Sequence, residues 1–297
     1  YAGVRNGIER VSKFMMPILI VLSVLIAVYS VTRPGAMEGV KYFLVPNVKN
    51  FSWMTVVAAM GQMFYSLSIA MGILITFGSY MKKETSLEDS TRNVEVFDTA
   101  IAIMAGLMII PAVFSFSGGD PDTLQAGPAL MFITIPKVFE NMGFGTVVGI
   151  LFFLLVLFAA VTSSIALTES AVSTFEDELG WSRRRATVLV GVIMIALGSL
   201  SSLGYGPLVG IKIIGMQFLD FFDFLTNSVM MPIAAMLTSL FVSRIVGMKR
   251  MEEEIMHGES TFRRKKIFIV MIKYLCPVFA LIILISSVAN AFGWIAM

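Results

Sequence analysis

The sequence has little charge, one cysteine and one histidine. Only 14% of its 297 residues are charged and 57% are hydrophobic, so its polar side chains are too few to cover a soluble protein of this length. The lone Cys276 excludes an internal disulfide, and the lone His257 excludes a site built from several histidines. A net charge of +2 gives no support to nucleic-acid binding. These absences point to a protein whose apolar surface is covered by lipid.

The beginning of the chain lacks the features of a leader. It opens on Tyr1, and the stretch YAGVRNGIERVSK has neither the apolar core nor the small-residue cleavage site of a signal peptide. We therefore expect the chain to start within a longer protein.

Apolar stretches long enough to cross a bilayer recur along the chain. A hydrocarbon layer about 30 Å thick needs roughly 20 apolar residues per helix, and short charged or Gly/Pro-bearing segments separate such stretches. The pattern predicts an all-α, polytopic membrane protein with a single, partial transmembrane domain over 1–297. The predicted spans are 12–32, 52–82, 90–117, 143–177, 185–204, 215–246 and 266–292.

The basic residues are distributed unevenly between alternate loops. Sixteen of the 22 fall on one side, five on the other, and Lys273 lies within a span. Because cytoplasmic loops carry the excess of Lys and Arg, the richer side is predicted to be cytoplasmic. We expect a multi-pass protein of the cell's inner (plasma) membrane, with residue 1 in the cytoplasm and the C-terminus of the chain outside.

The segment 52–82 is too long for a simple span, since a straight helix of this length would reach roughly 45 Å. Polar residues bracketed by glycines lie at its middle, in GQMFYSLSIAMG. We predict an interruption near 65–68, where freed backbone oxygens would bind an ion or a substrate. The pattern leaves open an ordinary helix with small residues at a packing seam.

Three segments resemble the neurotransmitter:sodium symporter family. They are GQMFYSLSIAMGILITFGSY, FAAVTSSIALTESAVSTFEDELGWSRRRA and FLDFFDFLTNS. The stretch GIERVSKFMMP matches the start of the family's fifth helix, and the resemblance then covers the whole chain in order. It implies a LeuT-type fold of two inverted five-helix repeats, of which this chain is a fragment that holds helices five to eleven.

The resemblance also implies a function. It is sodium-coupled symport of an amino acid by alternating access, with a hydrophobic or aromatic substrate as in bacterial members that carry many hydrophobic amino acids. No enzyme activity is expected. The implied partners are the amino acid, sodium ions, the lipid bilayer and the missing helices one to four of the same protein.

The family's sixth helix unwinds at its centre and binds the substrate and a first sodium ion. By the resemblance, Tyr65 is an aromatic lid over the substrate, and Ser66 binds both the first sodium and the substrate. Ser68 and Met71 face the substrate. Serine hydroxyls and freed carbonyls are the oxygen ligands that a hard cation prefers.

The family's eighth helix contributes to a second sodium site. The resemblance assigns to this site the carbonyl of Ala159 and the hydroxyls of Thr162 and Ser163. Ser163 and Leu167 would also line the substrate pocket. The alternative is that the two hydroxyls only bond back to the preceding turn of their own helix. Two sodium sites are thus expected, each partly formed by this chain.

Asp98 places a carboxylate against a continuous apolar run, VEVFDTAIAIMAGLMIIP. The matching family position usually carries Asn, a ligand of the first sodium, while chloride or a nearby Glu supplies a negative charge. Here that nearby position is Ala102. Our hypothesis is that Asp98 binds sodium and replaces the anion, so chloride is not required. The alternative is a solvated acid in the first turn of the helix.

Three further residues match the family's gates. Asp177 corresponds to the intracellular acid, Tyr80 supports that gate, and Asp223 corresponds to the extracellular acid. The Arg partners of both acids belong to the missing helices. The alternative is that these carboxylates are ordinary interfacial residues.

Two other classes of function compete with transport. A channel-like or regulatory membrane subunit would also use a broken helix. An intramembrane enzyme would need a hydrolytic or metal-binding motif, and the sequence contains no HExxH, no GxSxG and no paired intramembrane Asp.

Overall fold

A computed structural model describes residues 4–120, 127–141, 143–258 and 261–294. These residues form helices and turns, apart from one antiparallel bridge between Ile213 and Met216. The helices are α1 (Arg10–Val31), α2 (Ala36–Leu44), α3 (Trp53–Ser66), α4 (Ile73–Ser79), α5 (Leu87–Ser117), α6 (Ile135–Glu140), α7 (Gly145–Leu179), α8 (Arg183–Leu203), α9 (Phe218–Asp223), α10 (Met231–Phe241), α11 (Met248–Met256), α12 (Lys265–Val270) and α13 (Cys276–Ala291).

Short π-helical turns join several of these helices into longer ones. Such a turn joins α9 to α10, and another joins α12 to α13. Within the described residues, six continuous helices are long and apolar enough to cross a membrane. They are Gly7–Val31, Leu87–Ser117, Gly145–Leu179, Arg183–Leu203, Phe218–Val246 and Lys265–Ala291.

The sequence predicts seven spans, and the segment 52–82 accounts for the difference. It contains two shorter helices, α3 with 14 residues and α4 with 7. Ser52 begins α3 with a capping box, in which its side chain accepts from the N–H of Thr55 and the Thr55 hydroxyl accepts from the N–H of Ser52. Such reciprocal caps satisfy two backbone donors at a helix start.

The chain divides into two compact units. One comprises Ala2–Phe51 and Val96–Ala166. Its core is an apolar cluster in which Ile26, Val113 and Phe152 are almost fully buried. Within this unit α2 crosses α5 closely, because a Cβ built at Gly39 would lie 2.9 Å from the Cα of Pro111. Close packing of this kind requires glycine at the crossing.

The other unit comprises Ser52–Glu95 and Leu167–Met297. In it α13 packs against α10 and α3. Ser239 of α10 also donates to the carbonyl of Ile272, in the π-helical turn that precedes α13. A smaller apolar cluster joins α7 to α8 through Val172, Ala186 and Val190. This unit holds the interrupted helix, so most of the candidate residues belong to it.

Candidate functional site

The interruption between α3 and α4 has a backbone that is rare for residues with side chains. α3 ends at Ser66 and α4 begins at Ile73. Between them, φ is 54° at Ser68, 63° at Ala70 and 78° at Gly72. Because left-handed residues cannot continue a right-handed helix, the i to i−4 hydrogen bonds stop here.

Several carbonyl oxygens of the interruption lack a backbone donor. The N–H of Ile69 donates to the carbonyl of Phe64 at 3.1 Å. Among the described residues, no backbone N–H donates to the carbonyls of Leu67, Ile69 or Ala70. Carbonyl oxygens freed inside an apolar segment are suited to bind a cation or an ammonium group.

Tyr65 and Asp223 line the same cavity, which has a volume of about 420 Å³. The Tyr65 side chain is 51% exposed, so the ring is accessible from this cavity. Asp223 accepts a hydrogen bond of 2.5 Å from the side-chain amide of Asn227, one turn along the chain. The structure therefore brings together the expected lid and the expected extracellular acid.

Ser68 lines a different cavity, of about 320 Å³, whose walls come from α3, α4, α10 and α13. The walls are mostly apolar, with side chains such as Phe64, Val242 and Phe279. Met71 lies three residues after Ser68, and its carbonyl accepts a hydrogen bond from the hydroxyl of Ser170 at 3.5 Å.

The hydroxyl of Thr162 bonds to its own helix. It donates to the carbonyl of Phe158 at 3.1 Å and to that of Ala159 at 2.9 Å. The back-bonding alternative therefore holds for Thr162 in this structure. The same geometry puts two expected ligand oxygens, of Thr162 and Ala159, close enough together to contact one cation. Ser163 is exposed on this helix.

Asp98 lies well inside α5. The helix begins at Leu87, and Glu88 and Asp89 are the acids of its first turn. At 1.5 Å per residue, Asp98 is roughly 16 Å along the axis from the helix start. These bounds do not fit the alternative of a first-turn acid. The Asp98 side chain is partly buried.

The candidate residues divide between the two units. Tyr65, Ser66, Ser68, Met71, Leu167, Tyr80, Asp177 and Asp223 belong to the unit that holds the interruption. Asp98, Ala159, Thr162 and Ser163 belong to the other. Leu167 is 47% exposed, so its side chain is free to contact a ligand.

A buried carboxylate on α7 is not among the predicted residues. The side chain of Glu169 is only 3% exposed. Its Oε1 accepts from the hydroxyl of Tyr80 at 2.8 Å and from Nη1 of Arg183 at 3.1 Å, while Nη2 of Arg183 bonds to Oε2. Nη1 also reaches Glu176 at 3.2 Å. A bidentate pair between a guanidinium and a carboxylate offsets the free-energy cost of removing the carboxylate from water.

This network changes the local environment expected for Tyr80. The resemblance associates Tyr80 with the gate at Asp177, whereas its hydroxyl bonds to Glu169. Asp177 is exposed, and no cation within the described ranges pairs with it. One signal for Glu169 was available in the sequence, because a carboxylate within an apolar helix requires a partner and the basic run at 183–185 follows closely.

Comparison with known proteins identifies the family. A family model described as the sodium:neurotransmitter symporter family matches residues 1–293. The uncharacterised sodium-dependent transporter YhdH of Bacillus subtilis is 36% identical over 258 residues, which are 87% of this chain and 56% of that protein. An uncharacterised sodium-dependent transporter of Haemophilus influenzae is 33% identical over 286 residues, 96% of this chain and 61% of that protein. The chain thus spans little more than half the length of these curated relatives.

A solved structure agrees with this result. The crystal structure of MhsT in complex with L-phenylalanine superimposes with a TM-score of 0.81 at 36% identity, covering 96% of this chain and 64% of that one. MhsT is a LeuT-fold transporter, so the expected all-α, LeuT-type membrane fold is confirmed. Members of the matched family are symporters rather than enzymes. On the extent of these matches, the chain belongs to the sodium:neurotransmitter symporter family.

Proposed function

We propose that this chain is part of a sodium-coupled symporter that carries a hydrophobic or aromatic amino acid across the membrane by alternating access. The observation that carries the proposal is the interruption between α3 and α4, because it leaves carbonyl oxygens within an apolar segment, beside the side chains of Ser66 and Ser68. Membership of the family supports the coupling to sodium. The activity is proposed for the complete protein, because the chain spans only 56% and 61% of the length of its curated relatives.

Sodium is a co-substrate in this mechanism and is held by oxygen atoms. At the first site the Ser66 hydroxyl and the Asp98 carboxylate bind the ion, and the carboxylate of the amino acid completes the shell. At the second site the ligands are the carbonyl of Ala159 and the hydroxyls of Thr162 and Ser163. Because substrate and ion share the first site, each strengthens the binding of the other by the same factor.

The interruption also binds the amino group and the side chain of the substrate. Freed carbonyls and the Ser68 hydroxyl accept hydrogen bonds from the ammonium group, and Tyr65 closes above it. Ser163, Met71 and Leu167 line the pocket for the side chain, where the flexible thioether of Met71 suits several apolar shapes. The complex of the related MhsT with L-phenylalanine supports a substrate of this class.

The gates and the orientation in the membrane complete the proposal. Tyr80 and Asp177 act at the cytoplasmic gate and Asp223 at the extracellular one. The excess of basic residues in alternate loops supports a plasma-membrane protein with residue 1 inside the cell and Met297 outside. Both of these terminal residues lie outside the described part of the chain.

The test of the function is uptake by the complete protein in proteoliposomes. With an inward sodium gradient, radiolabelled phenylalanine is expected to accumulate above its external concentration. Replacing external sodium by potassium, or collapsing the gradient with an ionophore, should abolish the accumulation. Flux that is only downhill and independent of sodium would instead favour a channel-like or regulatory subunit.

Uptake is also expected to continue without chloride. The negative charge of Asp98 replaces a bound anion beside the first sodium, so exchanging chloride for gluconate should leave the rate unchanged. Asp98→Asn keeps the shape and removes the charge, and is expected to make uptake depend on chloride. Loss of most of the activity of the unmodified protein in gluconate would contradict this role.

A further inference from the structure

Hydrogen bonds connect α4 to α7 near both ends of α4. At its C-terminal end, the Tyr80 hydroxyl donates to Glu169 at 2.8 Å. At its N-terminal end, the Ser170 hydroxyl donates to the carbonyl of Met71 at 3.5 Å, and the Thr76 hydroxyl lies 3.5 Å from that of Ser170. Two consecutive residues of α7 therefore hold the two ends of the helix that follows the interruption.

The contacts at the N-terminal end are closed to solvent. Thr76, Ser170 and Ser173 are 8%, 7% and 9% exposed, respectively. The Thr76 and Ser173 hydroxyls are 3.2 Å apart, and Ser173 also donates to the carbonyl of Ser170 at 3.0 Å. Burying a hydroxyl costs free energy unless it is hydrogen-bonded. Each of these three hydroxyls therefore depends on the position of its neighbours. The position of α4 and that of the hydroxyl cluster are therefore linked.

Ser170 and Gly72 occupy complementary space. Gly72 has a φ of 78°, and a Cβ built on it would lie 2.7 Å from the Ser170 Oγ. The hydroxyl fits only because residue 72 has no side chain. Glycine is also the residue that adopts this φ without strain. The left-handed turn and the place of the Ser170 hydroxyl thus both depend on glycine at position 72.

We propose that Ser170 is a positioning residue for the interruption at 67–72. Its hydroxyl holds the freed carbonyl of Met71 and the turn at Gly72, and this fixes the end of the short segment that carries Ser66 and Ser68. The inference rests on the proposed function, because the position of Ser66 and Ser68 matters for transport only where they bind sodium and substrate. Ser170 itself contacts neither ligand.

Removal of the hydroxyl is expected to loosen the segment and weaken sodium binding without stopping turnover. In Ser170→Ala, the rate of hydrogen–deuterium exchange of the amides of 67–74 should rise about threefold. This factor corresponds to the lower end of the stabilisation that one hydrogen bond provides, because the bond from Ser170 to Met71 is long. The sodium concentration for half-maximal uptake should rise by a similar factor, about threefold, while the maximal rate stays near that of the parent. Both measurements use the complete protein in proteoliposomes.

Thr174→Ala is the matched control. Thr174 lies one turn further along α7, and its hydroxyl donates at 2.9 Å to the carbonyl of Ser170 in its own helix. It should change neither the exchange of 67–74 nor the sodium requirement. Equal effects in Thr174→Ala and Ser170→Ala would show that the loss of any hydroxyl softens α7, and the positioning role would be rejected.

A double variant tests the contact with Gly72 directly. Gly72→Ala should speed exchange strongly for two reasons. The added Cβ overlaps the Ser170 hydroxyl, and alanine is strained at the φ of residue 72. In Gly72→Ala with Ser170→Ala the steric overlap is gone and only the strain in φ remains, so exchange should be slower than in Gly72→Ala alone. If the two effects simply add, Ser170 does not lie against this turn and the proposal is overturned.

The exchange measurement keeps this inference separate from the proposed function. If no sodium-driven uptake occurs in the unmodified protein, the symport proposal fails, but the exchange of 67–74 still reports whether Ser170 holds the interruption. Conversely, normal sodium-driven uptake with unchanged exchange and unchanged sodium requirement in Ser170→Ala would reject only the positioning role.

Discussion

Glu169→Gln is expected to destabilise the protein by about 2 to 3 kcal/mol, somewhat less than the cost of breaking a fully buried pair because Arg183 retains contact with solvent. Glu169 is 3% exposed and the Arg183 side chain 28% exposed. Glutamine keeps the shape but loses the charge that the two guanidinium nitrogens contact. The variant leaves a partly buried cation without its principal partner, so unfolding in detergent, followed by tryptophan fluorescence during heating, should begin several degrees lower.

Glu176→Gln is the control for this prediction. Glu176 contacts the same guanidinium at 3.2 Å but is 28% exposed, so water replaces it at little cost. Its loss should change the stability by no more than about 1 kcal/mol, because Glu176 is far less buried than Glu169 and Arg183 keeps both of its hydrogen bonds to Glu169. In addition, Arg183→Met combined with Glu169→Gln removes the guanidinium that has lost its principal partner. This double variant should recover part of the lost stability. If Glu176→Gln is as destabilising as Glu169→Gln, the burial of Glu169 is not the cause of the lost stability.

The pair between Glu169 and Arg183 illustrates what a single sequence can and cannot reveal. The apolar runs predict the helices because each span must satisfy its own backbone hydrogen bonds within lipid. Such a pattern is local, whereas the partner of Glu169 comes from the next helix and from Tyr80 at the end of α4. Side-chain pairing between helices depends on how they rotate and cross, which hydrophobic periodicity does not define.

The interruption shows the same limit within one segment. Polar residues and glycines in 52–82 indicate where a helix is weakest, and α3 ends at Ser66. The sequence does not indicate that Ser68 and Ala70 adopt left-handed conformations, since neither residue type favours them. Nor does it indicate that Tyr65 and Ser68 line different cavities, because this follows from the turn of the backbone between them.

Ser66→Ala and Asp98→Ala are each expected to weaken sodium and substrate binding together, by more than about tenfold, because each removes a proposed oxygen ligand, and such a ligand interacts with a cation more strongly than a neutral hydrogen bond does. In the proposed first sodium site, the amino acid's carboxylate and each of these side chains contribute oxygen ligands to the same ion. Equilibrium binding of radiolabelled phenylalanine to the complete protein, measured across a sodium titration, gives both affinities from one set of curves.

Two further variants control for the loss of a hydroxyl and of a carboxylate. Ser201 is partly exposed and donates to the carbonyl of Leu197 in its own helix, and Asp89 is an acid of the first turn of α5. Ser201→Ala and Asp89→Ala should leave the titration unchanged.

Linkage makes the outcome decisive. If sodium increases the affinity for the amino acid by some factor, the amino acid must increase the affinity for sodium by the same factor. A variant that removes a shared ligand must therefore reduce both effects equally. Curves for Ser66→Ala that keep the full dependence on sodium would show that Ser66 is no ligand of the first ion. A reduced affinity for the amino acid with unchanged linkage to sodium would assign Ser66 to the substrate alone. Either result would remove it from the first sodium site, leaving Asp98 to be judged on its own curves.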